Sequence, residues 1–428
     1  MRHLPLDSKM FVEHRERLVK KLRGHALVVV NANDVMPANA DGVLPLVPQT
    51  DLFYLSGIEQ EETILLLCPQ AFDEKMREIL FVRETSDLLK IWEGHKLTKE
   101  EAREISGVKE VKWLSEFRGI FHRLMCEAEH VYLNSNEHAR AGSEVITRDG
   151  RFIDWCRKKY PLHDYKRLGR LMMELRGAKS EGEIDLLKKA IDITGKGFAS
   201  VCKMVKPGVM EYEVEAEFSY QFLKRRGKFA YGPIVASGKN ACVLHYVQND
   251  QTCKKGDLLL LDVAASYANY NADLTRTIPV DGKFTRRQRQ VYEAVLRVLR
   301  ASVKNATVGK LHKDWQKEAQ MMMNEELLGL GLLKKKDIKN QTDDEPACRK
   351  YLMHGLGHFL GLDVHDYGIT QIPFAAGTVL TVEPGIYIPD EGIGIRLEND
   401  IVVREGGAED LFAGIPIEPD EIEQLMGR

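Results

Sequence analysis

Leu258-Leu-Leu-Leu-Asp262-Val-Ala-Ala-Ser-Tyr-Ala-Asn-Tyr-Asn-Ala-Asp273-Leu-Thr-Arg-Thr-Ile-Pro279 decides how the second half of this 428-residue chain folds. An apolar run enters and a Thr- and Ile-rich run leaves, with Asn and small residues between them. That is the pattern of strand, turn and strand. In one straight strand Asp262 and Asp273 would point to opposite faces, because the side-chain period is two and their separation is odd. Folding the chain about Tyr267 and Ala268 sets Asp262 opposite Asp273 on one side of the sheet. Like charges opposed in this way destabilise the pair unless a cation lies between them. Either aspartate alone reads as a turn residue; the pair inside apolar strands reads as a metal site.

The same arithmetic applies to Thr381-Val-Glu383-Pro-Gly-Ile-Tyr-Ile-Pro-Asp-Glu-Gly-Ile-Gly-Ile-Arg396-Leu-Glu398-Asn-Asp-Ile-Val-Val403. Two apolar alternating runs flank Pro389-Asp-Glu-Gly392, and a hairpin centred between Asp390 and Glu391 sets Glu383 opposite Glu398. Arg396, two residues before Glu398, shares its face and can hold or balance the cluster. Solvated strand-face glutamates are the plainer reading, but the flanks are too apolar for a sheet wet on both sides.

Between the hairpins lies His354-Gly-Leu-Gly-His358-Phe-Leu-Gly-Leu-Asp-Val-His365-Asp366. Three glycines in this short stretch argue against a regular helix, so a loop and strand entering the site are expected. One histidine would ligate, and the others would hydrogen-bond substrate or move protons. Four carboxylates and one imidazole (Asp262, Asp273, His358, Glu383, Glu398) carry too much negative charge for one divalent ion and suit two. Two ions side by side can share a hydroxide and polarise a carbonyl, the chemistry of many hydrolases.

The segment His354–Asp366 resembles the signature of Xaa-Pro aminopeptidases and prolidases, the proline-specific branch of the pita-bread metallopeptidases. The ordered ligand set matches that family position by position, and Tyr231-Gly-Pro-Ile-Val-Ala-Ser-Gly-Lys-Asn-Ala-Cys-Val-Leu-His245-Tyr resembles the stretch with its substrate-facing histidine. The resemblance covers residues from about Leu171 to the C-terminus. One departure is Ala264, where the family has glycine. The resemblance implies that Asp262 chelates one ion, His358 and Glu383 the other, and Asp273 and Glu398 bridge both. Glu383 would also accept a proton, His365 and His245 would contact substrate, and His354 would act from the outer shell. Manganese is the expected metal, two ions per chain, because oxygen-rich sites suit it; cobalt or zinc would also fit.

A peptide bond to proline is a tertiary amide with no N–H. A dinuclear site activates the carbonyl directly and needs no such donor. Xaa-Pro cleavage is therefore compatible with the site, and the resemblance alone selects it.

In the N-terminal third, Ala26–Val30, Ile64–Cys68, Ile79–Val82 and Val131–Asn134 read as short buried strands, with helical patterns at Phe11–Leu18 and Thr98–Ile105. This alternation implies a small α/β domain. Gln49–Gly57 and Ile91–Leu97 resemble, more loosely, the N-terminal domain of the same peptidases, though their aromatic residues also read as core. Val47-Pro48 stands where a basic residue is expected. Lys158-Lys-Tyr-Pro161 breaks regular structure, and Ser180-Glu-Gly-Glu183 is a capping box. The expected fold class is thus α/β (α+β): an N-terminal aminopeptidase-P-like domain over residues 1–165, then a catalytic pita-bread domain over 166–428, with antiparallel sheets covered by helices.

A net charge of −3 gives no reason to invoke nucleic acid or an anionic membrane. No apolar run approaches the ~20 residues needed to span a bilayer, and the N-terminus leads into no signal-peptide core. Seven scattered cysteines suit reduced thiols in a cytoplasm, with no CxxC spacing. The resemblance further implies a homo-oligomer, dimer or tetramer. Three readings stand: an exopeptidase releasing the residue before proline in peptides, by a metal-bridging hydroxide; a prolidase restricted to Xaa-Pro dipeptides, with the same site; and a binding module with a dead site.

Overall fold

The computed structural model describes residues 3–427. The chain divides into two units, His3–Leu175 and Arg176 onward.

The first unit is built on one six-stranded sheet: β1 (Ala26–Asn31), β2 (Ile64–Leu67), β3 (Glu78–Val82), β4 (Glu110–Trp113), β5 (His130–Leu133) and β6 (Asp164–Arg167), in the order β4-β3-β2-β1-β5-β6. Alternate residues of the inner strands (Leu27, Val29, Leu66, Phe81, Val131) pack with Phe121 and Leu124 of helix Phe117–Met125 and with Phe152 and Cys156 of helix Arg148–Lys159. All four strands expected from the sequence are present. The two it did not yield, β4 and β6, are the edges. Their sequences EVKW and DYKR carry the charge that keeps an edge strand from pairing with another chain, which erases the apolar signature of a strand. Gln49 caps the helix Thr50–Ser56, and Phe53 and Tyr54 in it are core residues. Trp92 is not; it stands 81% exposed on the short helix Asp87–Glu93.

In the second unit every strand pairing is antiparallel. The strands are β7 (Lys228–Phe229), β8 (Ile234–Ser237), β9 (Leu258–Asp262), β10 (Ala265–Tyr267), β11 (Tyr270–Asn271), β12 (Thr275–Pro279), β13 (Val379–Val382), β14 (Gly385–Ile388), β15 (Ile393–Arg396), β16 (Asn399–Arg404) and β17 (Gly407–Asp410). They form the small sheets β11-β10-β7, β12-β9-β8, β13-β16-β17 and β14-β15. Helices Glu181–Met204, Glu211–Lys224 and Arg286–Asn305 pack on them. The Ser180–Glu183 capping box opens the first of these helices. The architecture is mixed α/β, with antiparallel sheets covered by helices in the second unit.

The first hairpin corrects the expected register. Asp262 pairs with Thr275, and Tyr267 pairs with Tyr270, so the turn centres on Ala268 and Asn269 rather than on Tyr267 and Ala268. Both turn residues have positive φ, 49° and 63°. Two-residue hairpin turns of this hand need positive φ at both central positions, which Asn tolerates and Tyr does not. Moving the turn by one residue shifts each partner by two, so Asp262 and Asp273 keep a common face but lie diagonally.

The second hairpin has the expected register. Gly385 pairs with Arg396 on one side of the pair and Val382 with Asn399 on the other, which sets Glu383 opposite Glu398. The turn is a single 3₁₀ turn, Pro389–Glu391, closed by Gly392 at φ 65°. Each long hairpin is broken at the carboxylate pair itself, between β9 and β10 and between β13 and β14. Ala264, the departure from the family pattern, lies outside the positive-φ region, so its Cβ costs no backbone strain.

Candidate metal centre

The two hairpins meet backbone to backbone. The Glu398 N–H donates to the Thr275 carbonyl at 3.0 Å. Fully buried Arg276 donates to the Glu398 carbonyl (2.7 Å) and to Asn399 Oδ1 (2.8 Å). The Thr277 hydroxyl donates to the Arg396 carbonyl at 3.1 Å. These bonds bring Asp262 and Asp273 of one hairpin to Glu383 and Glu398 of the other.

One ligand atom each from Asp273, His358 and Glu398 lies within 4.8 Å of the other two. Asp273 is 5% exposed and Glu398 2%. His358 Nε2 is 3.6 Å from Asp273 Oδ2 and 3.6 Å from Glu383 Oε1, so Glu383 adjoins the same cluster. Asp262 Oδ2 accepts from Arg396 Nη2 at 2.5 Å, while its Oδ1 is buried with no hydrogen-bond partner. Burial, then the charge of Asp262, pushes the Asp273 carboxyl well above the ordinary range. Burial and the charges of Asp273 and Glu383 do the same to Glu398. Buried carboxylates this close need an opposite charge. The Arg396 guanidinium supplies one, and burial fails to lower it because Tyr387, Asp262 and Glu398 hold it well above its usual value. One cation does not balance four carboxylates. An orphaned carboxylate oxygen beside an oxygen-rich cluster with one imidazole is a donor set that suits divalent metal.

The remaining histidines surround this cluster on the loop His354–Asp366, which contributes a single bridge, Phe359 to Leu380, and no strand of its own. His354 Nδ1 is 3.8 Å from Glu383 Oε2, and its Nε2 is 2.8 Å from the Tyr387 hydroxyl. Burial lowers the His354 imidazole to about 4, helped by Arg396 and His245, so it is neutral at physiological pH. His365 is exposed, and its ring lies 4.4 Å from that of His358, perpendicular to it. His245 is also exposed, near enough for its charge to act on His354.

Sequence reasoning missed the groups that hold the carboxylates. The Tyr231 hydroxyl donates to Asp273 Oδ1 (2.6 Å), and the Thr275 hydroxyl to Glu398 Oε2 (2.6 Å). Asp400 Oδ2 accepts from the Asp273 N–H (3.0 Å). Arg396 donates from Nη1 to the Tyr387 hydroxyl (2.9 Å). Thr275 and Asp400 were readable: each follows a carboxylate ligand by two residues, on the same strand face. Tyr387, four residues after Glu383, shares that signal, and Tyr231 gave none.

This fold and centre are those of a metallopeptidase. Residues 185–405 match metallopeptidase family M24, and residues 11–132 match the aminopeptidase P N-terminal domain. The chain belongs to metallopeptidase family M24 and is a hydrolase. It is similar over its whole length to the Xaa-Pro aminopeptidase of Escherichia coli (strain K12), 34% identical with 98% of each chain covered. The structure of Pseudomonas aeruginosa aminopeptidase PepP superposes with a TM-score of 0.89 at 29% identity, covering 100% of this chain and 99% of that one. Aminopeptidase P from E. coli with the inhibitor Pro-Leu gives 0.86 at 33% identity, covering 99% of both. Among the described residues no helix is long and apolar enough to cross a membrane. The seven cysteines are free thiols, five of them buried.

Proposed function

We propose that this chain is a two-metal exopeptidase that releases the N-terminal residue from peptides with proline in second position. The observation that carries the reading is the buried convergence of Asp273, His358 and Glu398, with Glu383 and Asp262 adjoining. Two divalent ions, manganese by the oxygen-rich donor set, would supply the Lewis acidity that activates water at neutral pH and polarises the scissile carbonyl. Asp262, Asp273, His358, Glu383 and Glu398 would hold the ions. Similarity to a full-length Xaa-Pro aminopeptidase supports proline as the second residue.

Each remaining group has work that its surroundings suit. Glu383 accepts a proton during attack, beside the neutral His354. Arg396 fixes Asp262 and offsets part of the carboxylate charge. His365 and His245, exposed at the rim, hydrogen-bond the peptide around the bond to be cut. His354 and Tyr387 together steady Arg396 from behind. Residues 1–165 form the N-terminal domain and 166–428 the catalytic one. The protein works in the cytoplasm as a homo-oligomer.

Substrate length tests the reading. Manganese-loaded protein should cleave Ala-Pro-Ala at the Ala-Pro bond. Cleavage of Ala-Pro but not of the tripeptide would make it a prolidase, and inactivity on both would leave a peptide-binding module.

A further inference from the structure

A buried ionic triad outside the metal centre ties the start of the second unit to the histidine loop. Arg176 ends helix Gly169–Arg176, and Lys179 immediately precedes Ser180, the N-cap of helix Glu181–Met204. Arg176 Nη2 donates to Asp366 Oδ1 (2.5 Å) and to Asp363 Oδ2 (2.7 Å). Lys179 Nζ donates to Asp366 Oδ2 (3.0 Å) and to the Arg176 carbonyl (2.7 Å). The side chains of Arg176, Lys179 and Asp366 are each 1% exposed. Burial would raise the Asp366 carboxyl, but Arg176 and Lys179 hold it below the ordinary range, so it is ionised.

Such a cluster is weak evidence for stability, because desolvating three charges offsets most of their attraction. What it does secure is geometry, since a guanidinium nitrogen and an ammonium each hold one oxygen of the same carboxylate. The carboxylate they fix follows His365 directly. Its own backbone N–H donates to the Phe359 carbonyl (2.9 Å), which closes the loop between the two histidines. Its Oδ1 also accepts from the Tyr367 N–H (2.7 Å). Within the loop, a Cβ on Gly361 would lie 2.2 Å from Asp366 Oδ2, so the backbone approaches the carboxylate more closely than a side chain allows. His358 lies just outside this closed and anchored loop and His365 inside it, directly before the closing residue Asp366, their rings 4.4 Å apart.

We infer that Asp366, clamped by Arg176 and Lys179, is a positioning residue that sets His365 against the substrate. This rests on the proposed role of His365. His365 is exposed at the end of this loop, and the backbone that carries it is fixed by the side chain of its neighbour.

A double-mutant cycle tests the link, with kcat and KM measured on Ala-Pro-Ala for manganese-loaded wild type, Asp366→Asn, His365→Ala and the double variant. Asp366→Asn should lower kcat by about 10- to 100-fold, the scale of a small misplacement. In the His365→Ala background the same change should cost less than about twofold, because its target is gone. Bound manganese should be equal in all four. Losses that multiply in the double variant, or manganese lost with Asp366→Asn, would overturn the link. A His365→Ala variant as active as wild type would instead remove the role assigned to His365. Should Asp366→Asn fail to fold, Lys179→Met keeps the Arg176–Asp366 pair. The cycle run with that variant supports the link if non-additive and overturns it if additive.

Discussion

Arg396 Nη2 lies 2.5 Å from Asp262 Oδ2, and both side chains sit within a cluster of carboxylates that burial and mutual repulsion push toward protonation. A buried cation so placed can keep the metal-free site from unfolding the hairpins around it. Removing one partner of a buried pair typically costs about 3–5 kcal/mol. Arg396→Gln should therefore destabilise metal-stripped protein by about 3 kcal/mol in urea titration, and added Mn²⁺ should recover part of the loss. Equal stability of stripped wild type and variant would contradict the role given to Arg396.

Tyr231 donates to Asp273 Oδ1 at 2.6 Å. Groups that orient a ligand in this way usually contribute 10- to 100-fold in metal affinity. Tyr231→Phe keeps the ring and deletes only the donor. Its manganese affinity, read by competition with a chelating dye, should fall by about that factor; an unchanged affinity would show the hydrogen bond to be incidental.

The sequence shows the carboxylate pairs because strand periodicity and turn position are local properties. Glu383 and Glu398 come into register as Pro389-Asp-Glu-Gly392 dictates. Asp262 and Asp273 come out diagonal because the choice between Tyr267-Ala268 and Ala268-Asn269 rests on which residue tolerates positive φ. Tyr231 was invisible because its hydroxyl reaches the site by tertiary packing with no periodic trace, whereas Tyr387 stands four residues after Glu383 on the same strand face. For the same reason Arg176 and Lys179 read as charged residues at a helix boundary, although both are buried and pair with Asp366, 187 residues from Lys179.

Gly357 lies beside His358, where a Cβ would sit 2.0 Å from the Thr381 carbonyl oxygen. The obstacle is backbone of β13, which cannot rotate away. Gly357→Ala should lower stability by about 1–3 kcal/mol, as overpacking does, and should weaken manganese binding through His358. Gly414, with open space around its Cβ position, is the control. Thermal unfolding that ranks the two variants equal would contradict this packing.

Asp149, in the first turn of helix Arg148–Lys159, is pushed up to about 7 by burial and by the charge of Asp51, against a hydrogen bond from Asn31. The folded state thus holds this proton more tightly than the unfolded chain, whose carboxyl titrates at about 4. The resulting stabilisation is complete below pH ~4 and is lost as pH rises through about 7. Asp149→Asn cannot ionise and still accepts from Asn31. Relative to wild type it should gain on the order of 1 kcal/mol between pH 4.5 and pH 8, the partial exposure of the side chain limiting the effect. Urea unfolding of the N-terminal unit at those two pH values decides it, and parallel pH profiles would refute it.

The most direct test of the whole account is the rate of Ala-Pro-Ala hydrolysis by metal-stripped protein as Mn²⁺ is added in known equivalents. The five-ligand site predicts no activity without metal, and a rise that saturates at two equivalents per chain. Saturation at one equivalent, or cleavage that ignores the metal, would contradict it.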